Sequence, residues 1–127
     1  MTKPPRVARM LLAGSFLRGG WRALQDPARM APAAEKLGLP EPETMVIVNS
    51  VAQVAGAAAM ALGIFPRLAA AGLAASLVPT TLAGHRFWEL EDEQARNQQI
   101  THFLKNLGLM GGLLAVAAWP DRSDTPE

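Results

Sequence analysis

The chain has 127 residues, of which half are apolar, a formal net charge of +1 and no cysteine. This length favours a single domain, and a near-neutral charge without runs of like charge excludes an electrostatic surface for nucleic acid. The absence of cysteine excludes disulfides, thiol catalysis, cysteine-ligated iron–sulfur clusters and covalent attachment of haem. A redox role would therefore require a bound cofactor or a partner protein.

The first apolar segment predicts a helix over residues 6–24. Arg9 and Arg18 lie within it, so it is the weakest of four candidates for crossing a membrane. Arg18 also cuts the apolar run short, and no small-x-small cleavage site follows it. We therefore expect no removable signal peptide at this end of the chain.

Residues 44–66 carry no formal charge over 23 consecutive positions, and a hydrocarbon core needs about 20 helical residues. This segment predicts a transmembrane helix over residues 44–64. In the connection before it, Asp26-Pro27 has the pattern of an N-cap followed by proline at the first helical position. That pattern predicts a short helix, ended by Gly38, that lies flat on the membrane surface.

Two further helices are predicted over residues 67–88 and 95–119, followed by a disordered tail at 120–127. The second and third long helices lack a polar face, and a 127-residue bundle could hardly bury two such helices in protein. The sequence therefore predicts an all-α integral membrane four-helix bundle, antiparallel up-down-up-down, with the short interfacial helix between the first and second transmembrane helices. A soluble four-helix bundle is the alternative, because the mean hydropathy is only +0.13.

Polar side chains of the predicted helices collect at one membrane face. Four antiparallel crossings place there the ends of the first and third helices and the starts of the second and fourth. The opposite half is almost purely Ala, Gly, Leu, Ile, Val and Met. The candidate ligand-binding residues at the polar face are Arg18, Asn49, Gln53, His85, Trp88, His102, Lys105 and Asn106. We predict that the histidines, Lys105 and Asn106 form one interior cluster with Arg18 and Gln53.

Simpler interpretations exist for several of these residues. Lys105 and Arg18 are long basic side chains of the kind that reach the membrane interface or pair with nearby carboxylates. His85 and His102 could ligate haem only if both rings faced one iron, so haem is not expected, and hydrogen bonding within a helix interface is favoured. The other functional interpretation is a pocket in which either histidine bonds a quinone carbonyl beside Trp88. No catalytic residue and no metal site is predicted.

Four stretches carry a family resemblance: FLRGGWRALQDP (16–27), PRLAA (66–70), VPTTLAGHRFWE (78–89) and HFLKNLGLMGGLL (102–114). On these the chain resembles the DoxX family of small membrane proteins, in its actinobacterial form. The resemblance implies one transmembrane domain over residues 1–127, with four helices in the cytoplasmic membrane. Family members include subunits linked to thiosulfate:quinone oxidoreduction and proteins of membrane redox or stress-response assemblies, without a shared catalytic motif.

Two functions from different classes are compatible with these observations. The first is a non-catalytic membrane subunit or scaffold of a redox or stress-response assembly, which docks a protein partner or a second copy through residues 22–43 and 89–97. The alternative is a quinone- or lipid-binding redox subunit whose pocket is the polar cluster. We expect a multi-pass protein of the cytoplasmic (inner) membrane with both termini in the cytoplasm, because Lys3, Arg6 and Arg9 precede or begin the first helix.

Overall fold

The computed structural model describes residues 4–84 and 87–120. Within these ranges the chain forms helices without any β-strand, so the all-α prediction is confirmed. The elements in chain order are α1 (Arg6–Gln25), α2 (Pro27–Lys36), α3 (Pro42–Leu62), α4 (Pro66–Gly84), a short 3-10 helix (Phe87–Glu89) and α5 (Glu93–Ala117).

Helix α2 begins at Pro27, where the proline pattern placed it, and its last turn is followed by Gly38 with φ +77°. Asp26 occupies the N-cap position, but its side chain makes no capping hydrogen bond. The fixed φ of proline at the first helical position therefore contributes more to this helix start than the aspartate does.

Helix α4 does not continue to Trp88, the end predicted for it. It is described up to Gly84, and Phe87–Glu89 form a separate 3-10 helix before α5. Residues 85 and 86, between the two, lie outside the described part of the chain. At the start of α5, Asp92 accepts a hydrogen bond from the backbone N–H of Ala95 at 3.0 Å, and this cap defines the boundary.

The long helices pack in chain order, with α1 against α3, α3 against α4, and α4 against α5, while α2 lies against α3. The apolar core occupies one half of this assembly. Its buried members are Ala13, Phe16, Ala57, Met60, Ala70, Leu73, Ala74, Leu77, Leu113 and Val116. Many of these side chains are small, which lets the helix backbones approach closely.

Gly20 marks a close approach of α1 to α3. A Cβ atom at this position would lie 2.8 Å from Cγ2 of Val54 and 3.1 Å from the carbonyl oxygen of Ser50. The carbonyl belongs to the backbone of α3 and cannot move without shifting that helix. Gly20 is therefore required by packing.

We expect Gly20→Ala to destabilise the fold by about 1–3 kcal/mol, because the added methyl group overpacks the α1–α3 interface. The neighbouring Gly19 has nothing within 4 Å of its would-be Cβ atom, so Gly19→Ala should be neutral or stabilise the helix by up to about 1 kcal/mol. Unfolding of both variants in detergent, followed by circular dichroism, makes the comparison. Equal stabilities would contradict the close approach.

Candidate functional site

A polar network joins α3 and α4 in the half of the molecule opposite the apolar core. Asn49 donates from Nδ2 to Oγ1 of Thr80 at 3.1 Å, and Gln53 donates from Nε2 to the same oxygen at 3.3 Å. Gln53 also lies 3.5 Å from Oγ of Ser76. Each helix contributes an i, i+4 pair, so the two pairs meet on facing stripes. We call these four residues, Asn49, Gln53, Ser76 and Thr80, the α3–α4 polar network.

The hydroxyl hydrogens of this network go to the backbone of α4. Thr80 donates to the carbonyl oxygen of Ser76 at 3.0 Å, and Ser76 donates to the carbonyl oxygen of Leu73 at 3.0 Å. The hydroxyl oxygens are then left as acceptors for the two amide N–H groups. The amides therefore act as donors across the interface, and Thr80 is its shared acceptor.

A second polar contact joins α4 to α5. Asn106 donates from Nδ2 to Oγ1 of Thr81 at 3.0 Å, and both residues are buried. Successive helical residues point about 100° apart. The adjacent pair Thr80 and Thr81 can therefore serve two neighbouring helices, and α4 connects α3 and α5 through polar as well as apolar side chains.

Two of the buried amides have an unused polar atom. Gln53 is 7% exposed and Asn106 is 6% exposed, and each uses one end of its amide in the bonds described above. The carbonyl oxygens of both side chains lack a hydrogen-bond partner within residues 4–84 and 87–120. Such acceptors, buried and unsatisfied, normally bind a water molecule or a ligand donor.

The structure places three of the predicted site residues in the helix interfaces and three at the surface. Gln53 and Asn106 are buried and Asn49 is half-buried, held by the bonds above. Arg18, His102 and Lys105 are exposed. Lys105 is adjacent to Asn106 on α5, and the rotation of about 100° between them turns the lysine away from α4.

The remaining two predicted residues lie near the connection between α4 and α5. Trp88 is 46% exposed, and its ring packs edge to face on Phe103 with centroids 6.1 Å apart. His85 lies outside the residues that the structure describes. The ligand-binding role of the predicted set therefore stays a prediction.

The sequence analysis missed Ser76, which completes the network, and left Thr80 and Thr81 out of the candidate site residues. The signal for Ser76 and Thr80 was their i, i+4 spacing on an otherwise apolar helix, matching that of Asn49 and Gln53. Hydroxyl side chains in a transmembrane helix are too common for that spacing to identify a partner.

A buried arginine at the opposite end of α3 corrects the expectation of a purely apolar half. Arg9 is 6% exposed, donating from Nη1 to the carbonyl oxygens of Met60 at 2.9 Å and Ala61 at 3.4 Å. Its Nε donates to the carbonyl oxygen of Pro4 at 3.0 Å. The last carbonyls of a helix lack intrahelical donors and carry partial negative charge, so Arg9 caps the C-terminus of α3.

Arg67 makes the equivalent contact on α5. Its Nε donates to the carbonyl oxygen of Ala117 at 3.2 Å, at the end of the helix that lacks a basic residue in its own last turn. Two arginines near helix starts thus cap the ends of two neighbouring helices. Because Gly63–Phe65 joins α3 to α4 over only three residues, both caps lie at one end of the molecule.

The first turns of α5 border a shallow, open groove of about 560 Å³. Its lining is polar and consists of Asp92, Glu93, Gln94, Asn97, Gln98 and Thr101. This surface overlaps residues 89–97, one of the two segments predicted to dock a partner. Within the described part of the chain, no three His, Asp or Glu side chains converge as metal ligands would.

The distribution of polarity differs from that in a water-soluble bundle. The interior holds Arg9, Ser50, Gln53, Thr81 and Asn106, whereas many large apolar side chains are exposed. Two helices, α3 and α5, are long and apolar enough to cross a membrane. Only 22% of the apolar segment of α3 and 17% of that of α5 are buried inside the protein, whereas an apolar helix of a soluble core would be mostly buried.

These features define an all-helical protein with the outward-facing apolar surface of membrane proteins. The DoxX family model matches residues 5–86, about two thirds of the chain, and the protein belongs to this family of membrane proteins. The match covers α1 to α4, so the bond between Thr81 and Asn106 links the matched region to α5. No curated protein and no solved structure matches the chain.

Proposed function

We propose that the protein is a four-span membrane subunit that holds a partner at the cytoplasmic membrane, as a non-catalytic component of a redox or stress-response assembly. The observation that carries the proposal is the exposed apolar surface of α3 and α5, together with the polar groups buried beside the apolar core. The interior amide and hydroxyl groups of α3, α4 and α5 mostly bond each other, and amides and hydroxyls without a nearby base are poor catalytic groups.

Lipid is the environment that suits the apolar exterior. Helix α3 is about 31 Å long at 1.5 Å per residue and α5 is about 37 Å long, enough for a hydrocarbon core of about 30 Å. Exposed leucine and valine side chains on both helices would each cost stability in water, whereas lipid is as apolar as they are.

The contacts between helices support four antiparallel crossings. Residues near the start of α1 meet the end of α3, and residues near its end meet the middle of α3. The same reversal holds for α3 with α4 and for α4 with α5. If α3 and α5 cross the bilayer, α4 must cross between them, and α1 lies against α3 along its length.

Insertion is the first expected outcome. The protein should remain in the membrane pellet after alkaline carbonate extraction, because α3 and α5 expose most of their apolar surface to lipid. Fractionation followed by immunoblotting makes the measurement. Release into the supernatant would favour the soluble four-helix bundle and would overturn the proposed function.

Both termini are proposed to face the cytoplasm, by the positive-inside bias of the first residues. A cysteine placed at Thr2 should react with a membrane-impermeant thiol reagent only after the membrane is opened, whereas one placed at Gln94 should react in intact cells. The chain has no native cysteine, so each label reports a single site. Labelling of the Thr2 position from outside would reverse the topology.

The partner is sought by purification in mild detergent. A scaffold should retain a protein partner in stoichiometric amount, and the double variant Asn97→Ala with Thr101→Ala should lose it if the α5 groove is the docking surface. Arg96→Ala is a matched control because Arg96 is an exposed neighbour that does not line the groove. Recovery of the protein alone at every detergent strength tested would contradict the scaffold role.

A second candidate is binding of a quinone, favoured by the unused carbonyl oxygens of Gln53 and Asn106. These oxygens are acceptors for the hydroxyl groups of the reduced form, the quinol, because a quinone itself offers no hydrogen-bond donor. Lipid extracts of the purified protein should then contain quinone, and Asn106→Leu should remove it while Lys105→Met, on the exposed side of α5, should not. Extracts free of quinone, or equal loss in both variants, would exclude this pocket.

A further inference from the structure

The end of the molecule that carries both arginine caps has a one-sided charge. The described charged residues there are Arg6 and Arg9 near the start of α1 and Arg67 near the start of α4, and none is acidic. The ends of α3 and α5 at this position are uncharged over their last two turns. We call this region the arginine end. At the other end of the helices acidic side chains outnumber basic ones over the described residues.

The three arginines have different amounts of unused hydrogen-bonding capacity. Arg9 is buried and its bonds go to backbone carbonyls. Arg67 is exposed and uses Nε for the carbonyl of Ala117. Its terminal nitrogens, and the whole exposed guanidinium of Arg6, have no protein partner within residues 4–84 and 87–120. Arg6 and Arg67 therefore each have N–H donors without a partner among the described residues, and Arg9 adds a buried charge at the same end.

An apolar tip adjoins these arginines. Leu62, Ile64 and Phe65 in the α3–α4 connection are 74%, 54% and 76% exposed, and Leu68 follows at 73%. Phe65 adopts φ +42°, a left-handed conformation that costs energy for a residue with a side chain. The connection therefore holds a large aromatic ring outward in a conformation of raised energy. Exposure of this ring is unfavourable in water and favourable at a lipid interface.

We propose that the arginine end binds the phosphate of an anionic phospholipid through Arg6 and Arg67, with the apolar tip inserted among the acyl chains beside it. The inference rests on the proposed membrane insertion and names a lipid for one end of that bundle. Guanidinium groups bond phosphate oxygens in pairs, and the adjacent aliphatic and aromatic side chains suit the glycerol and acyl region. Within residues 4–84 and 87–120 no carboxylate at this end offsets the attraction.

The test is a lipid titration of the purified full chain in mixed micelles. The midpoint of thermal unfolding is measured at increasing mole fractions of phosphatidylglycerol, or of phosphatidylcholine with the same acyl chains. A third titration uses increasing concentrations of inorganic phosphate. Phosphatidylglycerol should raise the midpoint of unfolding at a lower mole fraction than phosphatidylcholine does, because a lipid that binds only the folded state stabilises it. Arg6→Gln and Arg67→Gln should each raise the mole fraction of phosphatidylglycerol needed for half of the stabilisation about fivefold.

Matched variants distinguish binding at this site from nonspecific effects of charge and of lipid on stability. Arg96→Gln removes an exposed charge at the other end of the helices and should leave the titration unchanged. Arg67→Lys keeps the charge but loses the paired N–H donors, so its titration midpoint should lie between those of the native protein and Arg67→Gln. Phe65→Ala should weaken the effects of both phospholipids alike. Because Arg67→Gln also removes the cap on Ala117, the titration midpoint and not the basal stability is compared.

Three outcomes would overturn the inference: equal responses to the two phospholipids, an equal shift for Arg96→Gln, or the full response with inorganic phosphate alone. A protein that resists carbonate extraction but shows no preference for phosphatidylglycerol would lose this site and keep the proposed membrane function. A protein that carbonate removes would lose both.

Discussion

Gly63→Ala is expected to destabilise the protein by about 3–5 kcal/mol, the largest effect we predict for a single methyl group. Gly63 has φ +78°, which costs about 1–2 kcal/mol for a residue with a side chain. A Cβ atom there would also lie 2.7 Å from Nη1 of Arg9. The guanidinium is buried and fixed by the carbonyls of Met60 and Ala61, so its displacement breaks charge-assisted hydrogen bonds worth about 1.5–3 kcal/mol each.

Gly38→Ala separates the two causes. Gly38 has nearly the same backbone conformation, φ +77°, but nothing lies within 4 Å of its would-be Cβ atom. We expect it to lose only the conformational part, about 1–2 kcal/mol. In an Arg9→Ala background the cost of Gly63→Ala should fall toward that of Gly38→Ala, because the contact is already lost. Equal losses for the two glycines in the native background would show that Arg9 does not cap α3.

Thr80→Val is the second large expected effect, a loss of about 1–3 kcal/mol. Valine keeps the shape of threonine but removes the oxygen that accepts from both Asn49 and Gln53. Hydrogen bonds between membrane helices contribute about 0.6 kcal/mol each on average and up to about 1.7 kcal/mol. Two donors losing one shared acceptor in the interior therefore account for the expected loss.

Thr101→Val is the matched control for this change. Thr101 also donates its hydroxyl hydrogen to the carbonyl four residues earlier, at 3.1 Å, but it is exposed and bridges no helices. Its replacement should change stability by less than about 0.5 kcal/mol. Asn49→Leu and Thr80→Val should be non-additive, as residues of one network are. Indistinguishable stabilities for the two valine variants would mean that the α3–α4 polar network does not hold the helices together.

The position of the polar network could be predicted only in part from the pattern of polar residues. The sequence placed polar side chains at one half of the long helices, and Gln53 and Asn106 are buried there while Asn49 is half-buried. The predicted cluster also included Lys105, which directly precedes Asn106 in the helix but is exposed. Polar residue type alone therefore does not identify which side chain faces the neighbouring helix.

The caps of α3 and α5 could not be predicted from sequence at all. Arg9 reaches the carbonyl of Met60, 51 residues along the chain, and Arg67 reaches that of Ala117, 50 residues along. From sequence alone, an arginine near the start of an apolar helix is expected to turn toward the membrane interface. Only the packing of α1 on α3 brings the last carbonyls of α3 within reach of Arg9, and the bonds to them make burial of the arginine favourable.

The sequence by itself determined the number of long helices, their approximate ends and the all-α class, because proline, glycine and uncharged runs act locally on the backbone. The tertiary structure decided which stripe of each helix became interior. Every face of α3 and α4 carries apolar side chains, and lipid is as apolar as another helix. A difference in hydrophobicity between helix faces therefore cannot determine which face packs against another helix. The close backbone packing at Gly20 and the hydrogen bonds to Thr80 and Thr81 determine it instead.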